Sequence, residues 1–217
     1  MALTLILGNK NYSSWSLRPW IAMRQAGIDF AEEVIPLYEP GSRERILKYS
    51  AAGKVPILLD GDMAIWESLA IIEHIAEKFP TAGLWPQEPA ARAHARAISA
   101  EMHAGFAALR NHCPMNMRRT AKARALTPEV EEDIKRIEAI WADSRARFGR
   151  SGPFLLGVFS AADAMYAPVV SRFSSYAIPV GAPARDYMGA MMALPAWKEW
   201  AAAAAAEPWV MPHNELD

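Results

Sequence analysis

The feature that most constrains the fold is a hairpin followed at once by a helix. Asp60-Gly61-Asp62 separates two short apolar runs, 55–59 and 63–66. Asp-Gly between such runs signals a tight hairpin, because glycine takes the left-handed backbone of the turn without steric cost. The two strands are therefore expected to run antiparallel. Directly after them, Leu69, Ile72, Ile75, Ala76 and Phe79 fall on one side of a helix over residues 68–79.

The upstream segment extends this pattern. Residues 3–7 form a short apolar strand candidate. After a polar loop, residues 16–26 read as a helix with Pro19 in its first turn, where the amides have no intrahelical partner, and Gly27 as its stop. Residues 30–35 predict a second strand and 42–49 a short helix, so the order is βαβαββα. The texture changes after Pro80. Residues 81–89, with Gly83, Pro86 and Pro89, read as a linker, and every long segment beyond it has helical texture: 90 to about 110, 128–148, 161–176 and shorter pieces to 206. Ser160 and Asp163 are spaced as a capping box. The alanine run 201–206, bracketed by Trp197, Trp200 and Pro208, reads as the last helix. The expected architecture is a thioredoxin-like α/β domain over 1–80, a linker over 81–89, and an all-α domain over 90–217.

Bulk properties narrow the function classes. A formal net charge of −1 offers no basic excess for phosphates, so no nucleic-acid partner is expected. Cys113 is the single cysteine, which rules out an intramolecular disulfide or a Cys-only metal site and suits a reducing compartment. The start, Met1 to Leu7, lacks the basic residues and long apolar run of a signal peptide, and no stretch reads as a membrane span; a cytoplasmic location is expected. There is no nucleophile elbow, P-loop, Cys-x-x-Cys or His-Glu-x-x-His, so no metal is expected.

The βαβαββα order followed by helices, with Val55-Pro56 opening the third strand and Glu67-Ser68 opening the third helix, resembles the cytosolic glutathione transferases over nearly the whole chain. Within them Ser13-Ser14-Trp15-Ser16-Leu17-Arg18 is similar to the serine motif of the zeta class, which includes maleylacetoacetate isomerases. Gly53-Lys54-Val55-Pro56-Ile57-Leu58 and the segment 67–73 are similar to that class too. Two positions depart from it: Trp15 stands where the zeta motif has cysteine, and Ala107-Ala108 where it has Gln-Pro.

The resemblance implies glutathione as co-substrate, a small electrophile as second substrate, a homodimer, and a detoxification-type transferase; the alternative is a non-catalytic module of the same fold. Free thiols have a pKa of about 8.5, so roughly 3% of glutathione is thiolate at pH 7. Thiolate is the nucleophile, and lowering the pKa by about 2 units needs about 2.7 kcal/mol. A hydroxyl donating to the sulfur provides about 1.5–3 kcal/mol and a helix N-terminus about 0.3–1 kcal/mol. By resemblance Ser13 is the first candidate donor, Ser14 the second and Tyr12 the third; the competing role of the serines is helix capping.

The family resemblance implies a cis Pro56 turning the Val55 backbone toward glutathione, where spacing alone suggests an ordinary trans proline. Ser68 would hold the γ-glutamyl carboxylate and Glu67 nearby polar groups, or both would serve as caps. Lys54 and Arg18 are candidate carboxylate partners or surface charges. On the first long helix, Met102, Phe106 and Arg110 at i, i+4 and i+8, with His103 beside them, are the candidate electrophile site, against the competing reading of plain core. Cys113 is expected as a buried small hydrophobe.

Overall fold

The computed structural model describes residues 2–216; Met1 and Asp217, the outer ends of the two expected domains, lie outside the described residues. Strands β1 (Leu3–Leu7), β2 (Phe30–Val34), β3 (Ile57–Asp60) and β4 (Met63–Trp66) form one sheet in the order β2-β1-β3-β4. β1 and β2 are parallel, with Leu3 opposite Phe30, and a parallel pair requires a crossover, supplied by helix α1 (Ser14–Gln25). β3 is antiparallel to β1 and to β4, and Asp60 faces Met63 across a turn in which Gly61 has φ 60°. The expected hairpin is therefore present. Its first strand starts two residues late, since Pro56 has no amide to give the ladder. Helices α2 (Ser42–Leu47) and α3 (Ser68–Lys78) complete a thioredoxin-like α/β unit.

The rest is helical: α4 (Pro89–Ala104), α5 (Ala107–His112), α6 (Pro128–Phe148), α7 (Ala161–Ser175), α8 (Ala182–Ala193) and α9 (Pro195–Ala206). α7 is buried on all sides apart from Ser174, including its polar Asp163, Ser171, Arg172 and Ser175. Its alanines at 161, 162, 164 and 167 let neighbouring helices approach, and α1 packs directly on it. The capping box is present at its start: the Asp163 carboxylate accepts from Ser160 N at 2.8 Å, from Ser160 Oγ at 2.8 Å and from Leu155 N at 3.0 Å. Burial outweighs these donors and pushes the Asp163 carboxyl up to about 6. Cys113 is buried, and burial raises its thiol, which suits the expected inert role.

One expectation fails here. The helix expected from 90 to about 110 is interrupted: α4 ends at Ala104, Gly105 is extended, and Phe106 is left-handed at φ 58° before α5 begins. Gly105 N donates to Glu101 O at 2.8 Å, and a Cβ on Gly105 would lie 2.8 Å from that same oxygen, so only glycine makes this approach. The kink destroys the i, i+4, i+8 register of Met102, Phe106 and Arg110. Met102 is fully buried and Phe106 nearly so, both within the main core. Neither belongs to an open electrophile surface; the core reading is the correct one for both.

Candidate active site

A cavity of about 940 Å³ opens between the sheet unit and the helices. Ser13 and Trp15 from the β1–α1 turn, Tyr38 and Arg43 from the β2–α2 region, Lys54 to Pro56 before β3, Trp66 to Ser68 at the β4–α3 junction, and His103 from α4 all line it. Each of these elements ends at the same edge, which is why residues far apart in sequence converge.

Ser13 is the N-cap of α1. Its Oγ accepts from Ser16 N at 3.3 Å and lies 2.8 Å from Ser16 Oγ, which in turn accepts from Gly8 N at 3.0 Å. Ser13 Oγ is the donor to Ser16 Oγ, so its hydroxyl must rotate away from Ser16 to give its proton to a group in the cavity. Ser16 was legible only as a cap; its place as acceptor for both Ser13 Oγ and Gly8 N comes from contact with a residue eight positions earlier.

The other two candidate donors point elsewhere. Ser14 Oγ is buried and accepts from Arg172 Nη2 at 3.5 Å. The Tyr12 hydroxyl bonds the Glu215 carboxylate and accepts from Arg118 Nη2 at 2.8 Å. The cavity is lined by neither.

Glu67 and Ser68 sit where α3 starts. Glu67 caps the helix with φ 69° and ψ 123°, a region costly for any residue with a Cβ and most often tolerated at functional sites. Ser68 is fully buried, yet its Oγ has no hydrogen-bond partner among the described residues. A buried hydroxyl beside helix N-terminal amides is suited to donate to an anionic acceptor. The Val55–Pro56 peptide bond is cis, and both residues line the cavity. Lys54 and Arg43 are exposed cations on its rim; Arg43 carries no sequence signal of its own.

The fourth wall is aromatic and basic. Trp15 meets His103 edge-on at 5.2 Å between ring centroids, with the Arg18 guanidinium 4.3 Å and the Arg110 guanidinium 5.2 Å from the Trp15 ring. His103 Nε2 lies 3.5 Å from Glu67 Oε2. Burial and then Arg18 hold His103 below its ordinary pKa, against the opposing pull of Glu67. Arg18 is neither a surface charge nor on the cavity lining: it is buried, with Nε and Nη1 unpartnered among the described residues, and burial followed by Arg172 and Arg110 lowers it to about 9. Arg110 stands behind Trp15, its Nη1 donating to His103 O at 3.2 Å. Of the four residues expected on the electrophile side, only His103 lines the cavity; Trp15 and Trp66 do so instead.

Family models described as the glutathione S-transferase N-terminal domain and C-terminal domain match residues 12–78 and 121–203. A probable maleylacetoacetate isomerase from Caenorhabditis elegans is 36% identical over 99 residues, 46% of each chain. A dichloromethane dehalogenase from Methylophilus leisingeri is 40% identical over 68 residues, 29% of this chain and 24% of that protein. The match thus spans less than half the length of these curated relatives. A Burkholderia glutathione transferase homolog, solved with bound glutathione, has the same fold at a TM-score of 0.70 and 19% identity, over 95% of this chain and 100% of that one.

Proposed function

The chain belongs to the glutathione S-transferase family, and from that premise we propose that it binds glutathione in the 940 Å³ cavity and activates its thiol for attack on a small electrophile. One observation carries the reading. The Ser13 hydroxyl at the start of α1, the Val55 backbone before cis Pro56, and the unpartnered Ser68 hydroxyl at the start of α3 open into a single cavity. That is a donor for a sulfur, an edge for a peptide backbone, and a seat for a carboxylate.

In this reading the γ-glutamyl carboxylate takes the α3 amides and Ser68 Oγ, with Glu67 on the adjacent ammonium. Lys54 and Arg43 face the glycyl carboxylate. The cysteinyl sulfur meets Ser13 Oγ. Its proton leaves to solvent, and the thiolate is held by the Ser13 hydroxyl, at about 1.5–3 kcal/mol, and by the α1 terminus, at about 0.3–1 kcal/mol. A hydroxyl is far too weak a base to take the proton itself; its part is to donate. Trp15, His103 and Trp66 offer the electrophile an aromatic wall beside the sulfur. A carbon–sulfur bond forms there, and either a leaving group departs with its electron pair or an adduct forms that can reverse after isomerisation. The zeta-like sequence supports isomerase or dehalogenase chemistry alongside simple conjugation. The proposal includes a cytoplasmic homodimer with a glutathione-binding domain over 1–80, a linker over 81–89 and a helical domain over 90–217.

The test is retention on immobilised glutathione, followed by assay against an aryl halide, a haloacid, a hydroperoxide and maleylacetoacetate. Retention with turnover of at least one is expected. Retention without turnover would replace the enzyme with a glutathione-binding module, and no retention would remove the site.

A further inference from the structure

We propose that Glu207, the residue that closes α9, is a positioning residue for the thiol-activating turn, so that the tail of the helical half sets where the Ser13 hydroxyl points; this rests on the reading of Ser13 above. The turn from Asn9 to Ser13 has a peculiar hydrogen-bond account. Inside it, Asn9 O accepts from Tyr12 N at 3.2 Å and from Ser13 N at 2.8 Å, which fixes Ser13 relative to Asn9. The two amides at its crown have no acceptor in the sheet or in α1. Both go to one side chain nearly two hundred residues away: Lys10 N donates to Glu207 Oε1 at 2.6 Å and Asn11 N to Glu207 Oε2 at 3.0 Å.

Glu207 is itself held. Arg118 Nη1 donates to Glu207 O and Nη2 to Trp209 O, while Arg118 N donates to the Asn11 side chain at 2.8 Å. The same arginine therefore grips the tail and the turn, closing a triangle of Asn11, Arg118 and Glu207. A carboxylate is suited to this task because its two oxygens accept two successive amides in a charge-assisted pair. Gln can accept only one of them and turns an N–H₂ toward the other.

The functional consequence follows from how narrowly a donor must be aimed. A misplacement of about 1 Å far from the chemistry can cost on the order of 10²-fold in rate. The turn is five residues long, and Ser13 is its last residue as well as the first anchor of α1. Release of its crown takes the acceptor from the Lys10 and Asn11 amides, and Ser13 is then held by α1, by Asn9 O and by the contacts of Asn9 and Asn11 with Leu37 and residues 116–118. Glutathione's carboxylate seats at α3 and on Lys54 lie on other elements, so they stay intact.

The experiment uses the full chain with Glu207→Gln, reading the pKa of bound glutathione from thiolate ultraviolet absorbance, the rate–pH profile, and kcat and KM for glutathione separately. The expected result is a thiol pKa raised by about 0.5 unit, which leaves up to about threefold less thiolate at neutral pH, with kcat lower and KM within about twofold. A role confined to gluing tail to turn would lower the melting temperature and leave the thiol pKa at the parent value; that result overturns the proposal. If Glu207→Gln does not fold, Glu207→Asp, which keeps the charge and shortens the reach by one methylene, replaces it with the same two outcomes. A parent protein that forms no thiolate on bound glutathione refutes the Ser13 reading itself, a failure distinct from that of Glu207.

Discussion

Replacing Ser13 with alanine isolates the thiolate donor from every other part of the site. In the native turn Ser13 Oγ is within reach of two groups, Ser16 N at 3.3 Å and Ser16 Oγ at 2.8 Å, and the residue is only 6% exposed. A hydrogen bond to a charge in so dry a place belongs to the range of about 1.5–3 kcal/mol, or about 1–2 pKa units. The α1 terminus and the α3 anchors survive the change. If the parent holds the bound thiol near about 6.5, roughly three quarters is thiolate at pH 7; with the pKa raised to about 7.5–8.5, the fraction falls to between roughly a quarter and 3%. The lost helix cap is a separate and smaller effect. The 3.3 Å cap bond is long, so its contribution lies at the low end of the usual range, about 0.5 kcal/mol. Thiolate absorbance titrated against pH reads the first effect, and urea unfolding reads the second. The rate profile should move to higher pH with activity partly recovered in alkaline buffer, while glutathione affinity changes much less. If Ser13→Ala titrates like the parent while Ser14→Ala or Tyr12→Phe shifts, the donor is the residue that moved and the assignment is wrong.

Three further outcomes are expected. Ser68→Ala should weaken glutathione binding by about 1–2 kcal/mol, since its buried hydroxyl is left without a partner until the ligand arrives; calorimetry showing parental affinity in the folded variant would refute that seat. Asp163→Asn should destabilise the fold by about 1–3 kcal/mol, because one oxygen cannot serve both the Leu155 and Ser160 amides. Since the native carboxyl titrates at about 6 against an ordinary 3.8, the native state binds more protons across that window, and this group's contribution falls as pH rises through it; urea unfolding should show that slope in the parent and lose it in the variant. His103 should titrate by NMR below its ordinary 6.5, its contribution to stability full above that value and lost as pH falls through the native midpoint; Arg18→Met should raise that midpoint by removing a cationic neighbour, and an unmoved or lower one would count against the charge effect.

The features written locally in the sequence are those whose physics is local. Asp60-Gly61-Asp62 specifies a turn through its own backbone preference, Ser160 and Asp163 satisfy amides within one helical turn, and the apolar spacing of 68–79 marks a buried face. The motif around Ser13, Pro56 and Ser68 named three cavity-lining residues because each sits at the end of an element whose type was already clear.

What periodicity could not supply is where a side chain goes once elements pack. Arg18 reads along the chain more readily as a surface charge than as a ligand partner, and it is the packing of α1 into the core that buries it. Met102 and Phe106 keep a helical spacing in sequence that Gly105 cancels in space, because the kink depends on a single close approach to Glu101 O. Ser14 and Tyr12 differ from Ser13 only in what faces them: an arginine from α7, a glutamate from the tail, and an open cavity. Glu207 had no signal at all in the sequence. Its carboxylate acquires a role from two amides nearly two hundred residues upstream, a pairing that exists only after the helical half has closed over the first turn of the chain. Backbone preference and amphipathic spacing act over a few residues and can be read along the chain; burial, orphaned donors and charge neighbours are properties of the packed whole.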